Sequence, residues 1–103
     1  MQVEGFQTNV SHVGTETVVA LCGELDIASS AGLNEELTDL IDSGATDLVI
    51  DLQELDFIDS TGLSAILLAN KKLEGKLVLR QPAALVRQVF EVTGLTGALT
   101  IEG

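Results

Sequence analysis

Lysine and arginine are missing from the first seventy residues of this 103-residue chain, a stretch that carries thirteen carboxylates. The five cations, Lys71, Lys72, Lys76, Arg80 and Arg87, fall in one later window, and the formal net charge is −11. Phosphate backbones and anionic headgroups are held by clustered cations, so this balance argues against nucleic acid and membrane surfaces as ligands. A lone cysteine, Cys22, leaves no intramolecular disulfide and no multi-cysteine metal site. No apolar run approaches the roughly 18 residues of a membrane-spanning helix. Met1-Gln2-Val3-Glu4-Gly5 lacks the basic and apolar regions of a signal peptide. These absences lead to the expectation of a cytoplasmic protein, with Cys22 a reduced thiol buried in its apolar run. The acidity itself reads two ways, as a solubilising surface or as a face that steers a basic protein partner.

Catalytic signatures are equally scarce. There is no glycine-rich phosphate loop with a following lysine and no G-x-G-x-x-G after a strand. The only histidine, His12, falls in an expected turn, and nothing in the spacing brings it to Ser60 for a Ser-His-Asp arrangement. Asp51, Asp56 and Asp59 carry the hard oxygen ligands that suit Mg²⁺, but carboxylates after a strand commonly hold no metal. The expectation is a protein with no catalysis, metal or cofactor of its own.

What the chain does have is a 46% hydrophobic content, enough for one domain over residues 1–103. Phe6 to Val10 suggests a short edge strand, and Thr17 to Cys22 a continuously apolar strand covered on both faces. Leu33, Leu37, Leu40 and Ile41 recur at helical spacing, with Ser43-Gly44 as the stop. Leu48 to Leu52 reads as a second buried strand, followed by a short acidic stretch. A helical stripe begins at Leu63, Ile66 and Leu67 and runs to about Leu73, and Leu77-Val78-Leu79 reads as a third buried strand. Pro82 suits the first position of the next helix, whose apolar face is Leu85, Val86, Val89 and Phe90 and whose cap is Gly94. Ala98 to Ile101 completes the order β-β-α-β-α-β-α-β, an α/β domain with a mixed, mostly parallel sheet packed by helices.

The informative segment is Asp59-Ser60-Thr61-Gly62-Leu63, where a strand and loop pass into a helical stripe. Ser60 can serve there as a helix N-cap, its oxygen accepting a free backbone N–H. The same place tolerates an added phosphate, because a helix N-terminus offers unpaired N–H groups and partial positive charge. Gly62, without a Cβ, leaves room for the close approach of a partner's backbone or a kinase site.

In this context Asp59-Ser60-Thr61-Gly62-Leu63 resembles the signature of the STAS domain, and specifically of stand-alone anti-sigma factor antagonists. Gly23-Glu24-Leu25-Asp26 resembles the segment these proteins carry before their first helix, and Val92-Thr93-Gly94-Leu95 the end of their third, so the likeness spans roughly residues 6 to 101. The resemblance implies that Ser60 is the serine phosphorylated by a partner kinase, with Thr61 its unmodified neighbour and the second candidate. It implies that Glu24, Asp26, Asp59, Ser60, Thr61, Gly62 and Leu63 form the partner-binding surface. The implied partners are an anti-sigma factor serine kinase of the histidine-kinase-like ATPase class and a PP2C-type phosphatase. An alternative within the same fold is a cytosolic STAS accessory subunit of a lipid-transport ABC system. Two departures stand out: a helix after the motif about one turn short, and no further helix before Gly103, which leaves part of the sheet less covered.

Overall fold

The computed structural model describes Gln2, Val3 and residues 5–103, and its elements follow the expected alternation with one short strand added in front. Strands β1 (Gln2–Val3), β2 (Phe6–Val13) and β3 (Glu16–Leu25) form an antiparallel meander. Helices α1 (Ile27–Asp42), α2 (Ser60–Lys72) and α3 (Ala84–Val92) then alternate with strands β4 (Asp47–Ile58), β5 (Val78–Arg80) and β6 (Thr100–Glu102). The six strands lie side by side in chain order, with β3, β4, β5 and β6 parallel.

That order decides which face is covered. Parallel strands laid down one after another and joined by right-handed crossovers put each helix on the same side of the sheet. Side-chain burial agrees. Val19, Leu21, Ile50, Leu52 and Leu79 from the strands bury in one cluster with Leu33, Leu37, Ile66, Val86 and Phe90 from the three helices. Val18, Ala20 and Val78, which alternate with these along their strands, are only half-buried. The expectation that β3 is covered on both faces is therefore corrected. Cys22 shares the uncovered side with Val18 and Ala20, and its thiol is exposed rather than buried.

Strand β4 runs six residues beyond the expected Leu52, through what reads in sequence as an acidic connection. Its pairing with β3 slips twice, between Ala20 and Cys22 and again between Gly23 and Glu24, with an extra β4 residue each time. Each bulge delays the return of the chain to the core face. The buried positions become Leu52, Leu55 and Ile58, a spacing of three that imitates no strand. Strand β2 likewise runs past Val10 to Val13, so His12 sits in a strand opposite Thr17 instead of in a turn. Its start is flanked by β1, so it is not the edge strand there.

The helix ends follow local chemistry. Gly44 (φ 105°) and Gly94 (φ 74°) take the positive φ that follows α1 and α3. Pro82 is not the first residue of α3: Ala83 is extended and occupies the cap position, which puts buried Pro82 one residue further out. A 3₁₀ turn over Leu95–Gly97 uses chain that the sequence assigns to the approach to the last strand, so β6 starts at Thr100.

Candidate functional site

Strands β3 and β4 stop together, with Leu25 opposite Ile58, and the Asp59 N–H donates to the Leu25 carbonyl at 3.1 Å. An aspartate follows each strand and a helix follows each aspartate. Leu25-Asp26-Ile27 opens α1, and Ile58-Asp59-Ser60 opens α2. Two helix N-termini thus emerge side by side at the carboxyl ends of parallel strands, the edge where open α/β sheets place their binding sites.

The two aspartates answer the unpaired N–H groups of those helix starts. Asp26 Oδ1 accepts from the Ala28 N–H at 3.0 Å, and the Asp26 N–H donates to Ser29 Oγ at 3.0 Å, forming a capping box. Asp59 Oδ1 accepts from the Thr61 N–H at 2.9 Å, the Gly62 N–H at 3.1 Å and the Thr61 hydroxyl. The Thr61 hydroxyl, with the Gly62, Thr61 and Ile27 N–H groups, holds the Asp59 carboxyl below its ordinary value of 3.8, against partial desolvation that raises it. Asp59 therefore ties down the first turn of α2 through one carboxylate.

A folded-state pKa below the unfolded one stabilises the protein above pH 3.8 and loses that contribution as pH falls through the folded value. Asp59→Ala is expected to cost about 1 kcal/mol at pH 7, the usual loss for a missing cap. In denaturant titrations the gap between wild type and variant should close at acid pH. A gap that is the same at pH 7 and pH 3 contradicts the assigned role.

Ser60 is the first residue of α2 and not its cap, which corrects the capping reading of its hydroxyl. The cap being Asp59, the Ser60 hydroxyl has no hydrogen-bond partner among the described residues and its side chain is exposed. Only its carbonyl is engaged, by the Ser64 hydroxyl at 2.9 Å. Thr61 is half-buried and its hydroxyl is committed to Asp59.

Glu24 is exposed, and Asp26 and Asp59 are half-buried at the same edge. Gly62 and Leu63 lie beneath it. A Cβ on Gly62 would stand 2.7 Å from Leu25 Cγ and 3.0 Å from Ile58 Cγ1, so the missing side chain lets α2 press on the ends of β3 and β4. Its role is inward packing, not the outward approach of a partner. Leu63 belongs to the core cluster.

None of Glu24, Asp26, Asp56 and Asp59 is ion-paired with a lysine or arginine among the described residues. Lys71 and Lys72 end α2, where they suit the negative end of its dipole. Arg80 is held between Glu16 at 3.3 Å and Glu102 at 3.4 Å. His12, opposite Thr17 near the start of β3, is about 26 Å along the strand from Leu25, so it does not meet Ser60. No group of three His, Cys, Asp or Glu side chains converges for a metal among the described residues.

Sequence reading passes over Ile27, which is 77% exposed at the position in α1 that Ser60 holds in α2. The shared order of apolar residue, aspartate and first helical residue was the signal that could have found it.

A family model described as "Mlab, STAS domain" matches residues 8–101. The anti-sigma-B factor antagonist of Bacillus subtilis is 35% identical over 86 residues, covering 81% of this chain and 78% of that protein. The anti-sigma factor antagonist SpoIIAA in its unphosphorylated form superposes with a TM-score of 0.78 at 27% identity, over 92% of this chain and 87% of that one. The Bacillus cell fate determinant SpoIIAA in the phosphorylated form gives a TM-score of 0.71 at 26% identity, over 92% and 90%. No helix among the described residues is long and apolar enough to cross a membrane. With residues 8–101 matched by the family model and an anti-sigma-B factor antagonist 35% identical over 81% of this chain, this chain belongs to the STAS-domain family of anti-sigma factor antagonists.

Proposed function

We propose that this chain is a phosphorylation-switched binding module. Unphosphorylated, it binds and sequesters an anti-sigma factor serine kinase of the histidine-kinase-like ATPase class, so that a sigma factor is released. Phosphorylation of Ser60 ends the complex, and a PP2C-type phosphatase restores it. The observation that carries the reading is the contrast between two adjacent hydroxyls: Ser60 is exposed and unbonded, while Thr61 is tied to Asp59. A related antagonist, SpoIIAA, has been solved both with and without its phosphate, so the fold accommodates the modification there.

The test is labelling by the kinase and ATP, read by intact mass and peptide mapping. Wild type and Thr61→Ala are expected to gain one phosphate, and Ser60→Ala none, while remaining in complex with the kinase. A single phosphate on Ser60→Ala makes Thr61 the acceptor and overturns the assignment.

A further inference from the structure

Beside Ser60 a groove of about 330 Å³ runs between α1 and α2, lined by Ile27, Ala31, Thr61, Ser64, Ala65 and Leu68. Its apolar walls are left open, with Ile27 77% and Leu68 41% exposed. Ile27 and Ser60 are the first residues of their adjoining helices, so the mouth of the groove lies at the Ser60 edge. A β-branched apolar side chain at a helix start, facing water, adds nothing to capping or to the core. Its exposure makes sense as contact area for another molecule.

We propose that this groove receives an apolar anchor from a basic amphipathic segment of the partner, a leucine-like side chain flanked by arginines. The proposal rests on the reading of the Ser60 edge as the docking surface, and it names that partner's chemistry. The basic flanks follow from charge: Asp26 and Asp59 cap the two helices that flank the groove, neither has a cationic partner among the described residues, and complementary charge selects a cationic segment. The apolar anchor follows from the lining and from a volume at the low end of small-ligand pockets, which suits single side chains. A few side chains seated in desolvated pockets carry most of the affinity of protein interfaces, and arginine is among the residue types that do so most often. A phosphate on Ser60 then stands at the mouth of the groove, where a docked segment must exclude water.

The probe is a short synthetic helix with leucines at i and i+4 and arginines on either side, added to about 1 mM to the ¹⁵N-labelled full chain. Amide shifts are expected to centre on Ile27, Ala31, Thr61, Ser64 and Leu68. Replacing the peptide's leucines by serine, or Ile27→Ser in the protein, should weaken binding about tenfold. Replacing its arginines by glutamate should abolish it. Shifts centred instead on Glu35 and Asp39, an equal response to the glutamate peptide, or no response to any peptide overturns the groove. Because the kinase takes no part, the groove can fail while Ser60 labelling stands, and the reverse.

Discussion

Ser60→Asp is expected to bind the kinase at least about a hundredfold more weakly than wild type, which is a loss of about 2.8 kcal/mol. Its melting temperature should stay within about 4 °C of wild type. In the free protein the new carboxylate replaces an exposed hydroxyl that holds nothing, so no packing is lost. The dipole of α2 favours an acid in its first turn by about 0.3–1 kcal/mol. Repulsion from Asp59 next door is of similar size for charges in water, about 1 kcal/mol at 4 Å. The two nearly cancel. Once a partner covers the edge, the same charge must shed water beside Asp26 and Asp59, and an uncompensated buried ion costs several kcal/mol. A phosphate, with about −1.5 to −2 charges, does this more strongly. Calorimetric titration with the kinase and a thermal scan separate the two effects. Ser60→Asn supplies the control, keeping the size without the charge, and should bind within about threefold of wild type. A Ser60→Asp variant that binds normally, or one that loses binding only because it melts about 10 °C lower, contradicts the switch.

The helices and their alternation with strands can be read from periodicity because each helix buries a single stripe against one sheet face. Leu33 and Leu37 in α1 and Val86 and Phe90 in α3 are the residues that the pattern selects and the core buries. Where reading failed, the structure departs from one period. The two bulges of β4 put its buried residues three apart and hid the strand. The exposure of Cys22 is hidden in the sequence because an unbroken apolar run is ambiguous between a strand covered twice and one whose bare face carries small or medium apolar residues. At the site, the segment Asp59-Ser60-Thr61 is legible as a helix start, but the division of labour within it is not. Which of Asp59 and Ser60 caps α2 depends on where the first helical φ falls, one residue either way. Gly62 carried no sign of direction, since a missing Cβ looks the same whether it faces a partner or Leu25. Ile27 is invisible to a pattern search because its place beside Ser60 comes from the register of β3 with β4, which sets the starts of two helices side by side.

That register rests in part on Gly23, and Gly23→Ala is expected to lower stability by about 3 kcal/mol. Two costs add. Gly23 has φ +97°, and an alanine in the left-handed region pays about 1 kcal/mol or somewhat more. A Cβ there would also lie 2.1 Å from the Gly5 carbonyl oxygen and 3.0 Å from its carbon. These are backbone atoms of the turn between β1 and β2, so no rotamer change relieves the overlap. The turn must move, and the Glu24 N–H bond to the Gly5 carbonyl at 2.8 Å goes with it. In a domain of this size each kcal/mol shifts the midpoint by about 4–8 °C, so a fall of at least about 12 °C is expected. Gly14→Ala isolates the close approach: Gly14 has φ +61° but nothing within 4 Å of its absent Cβ, so that variant should lose about 1 kcal/mol. Equal losses at the two positions mean that strain alone is at work and that the turn does not press on β3. Unequal losses place the packing of residue 5 on residue 23 beneath Glu24, and so beneath the acidic edge itself.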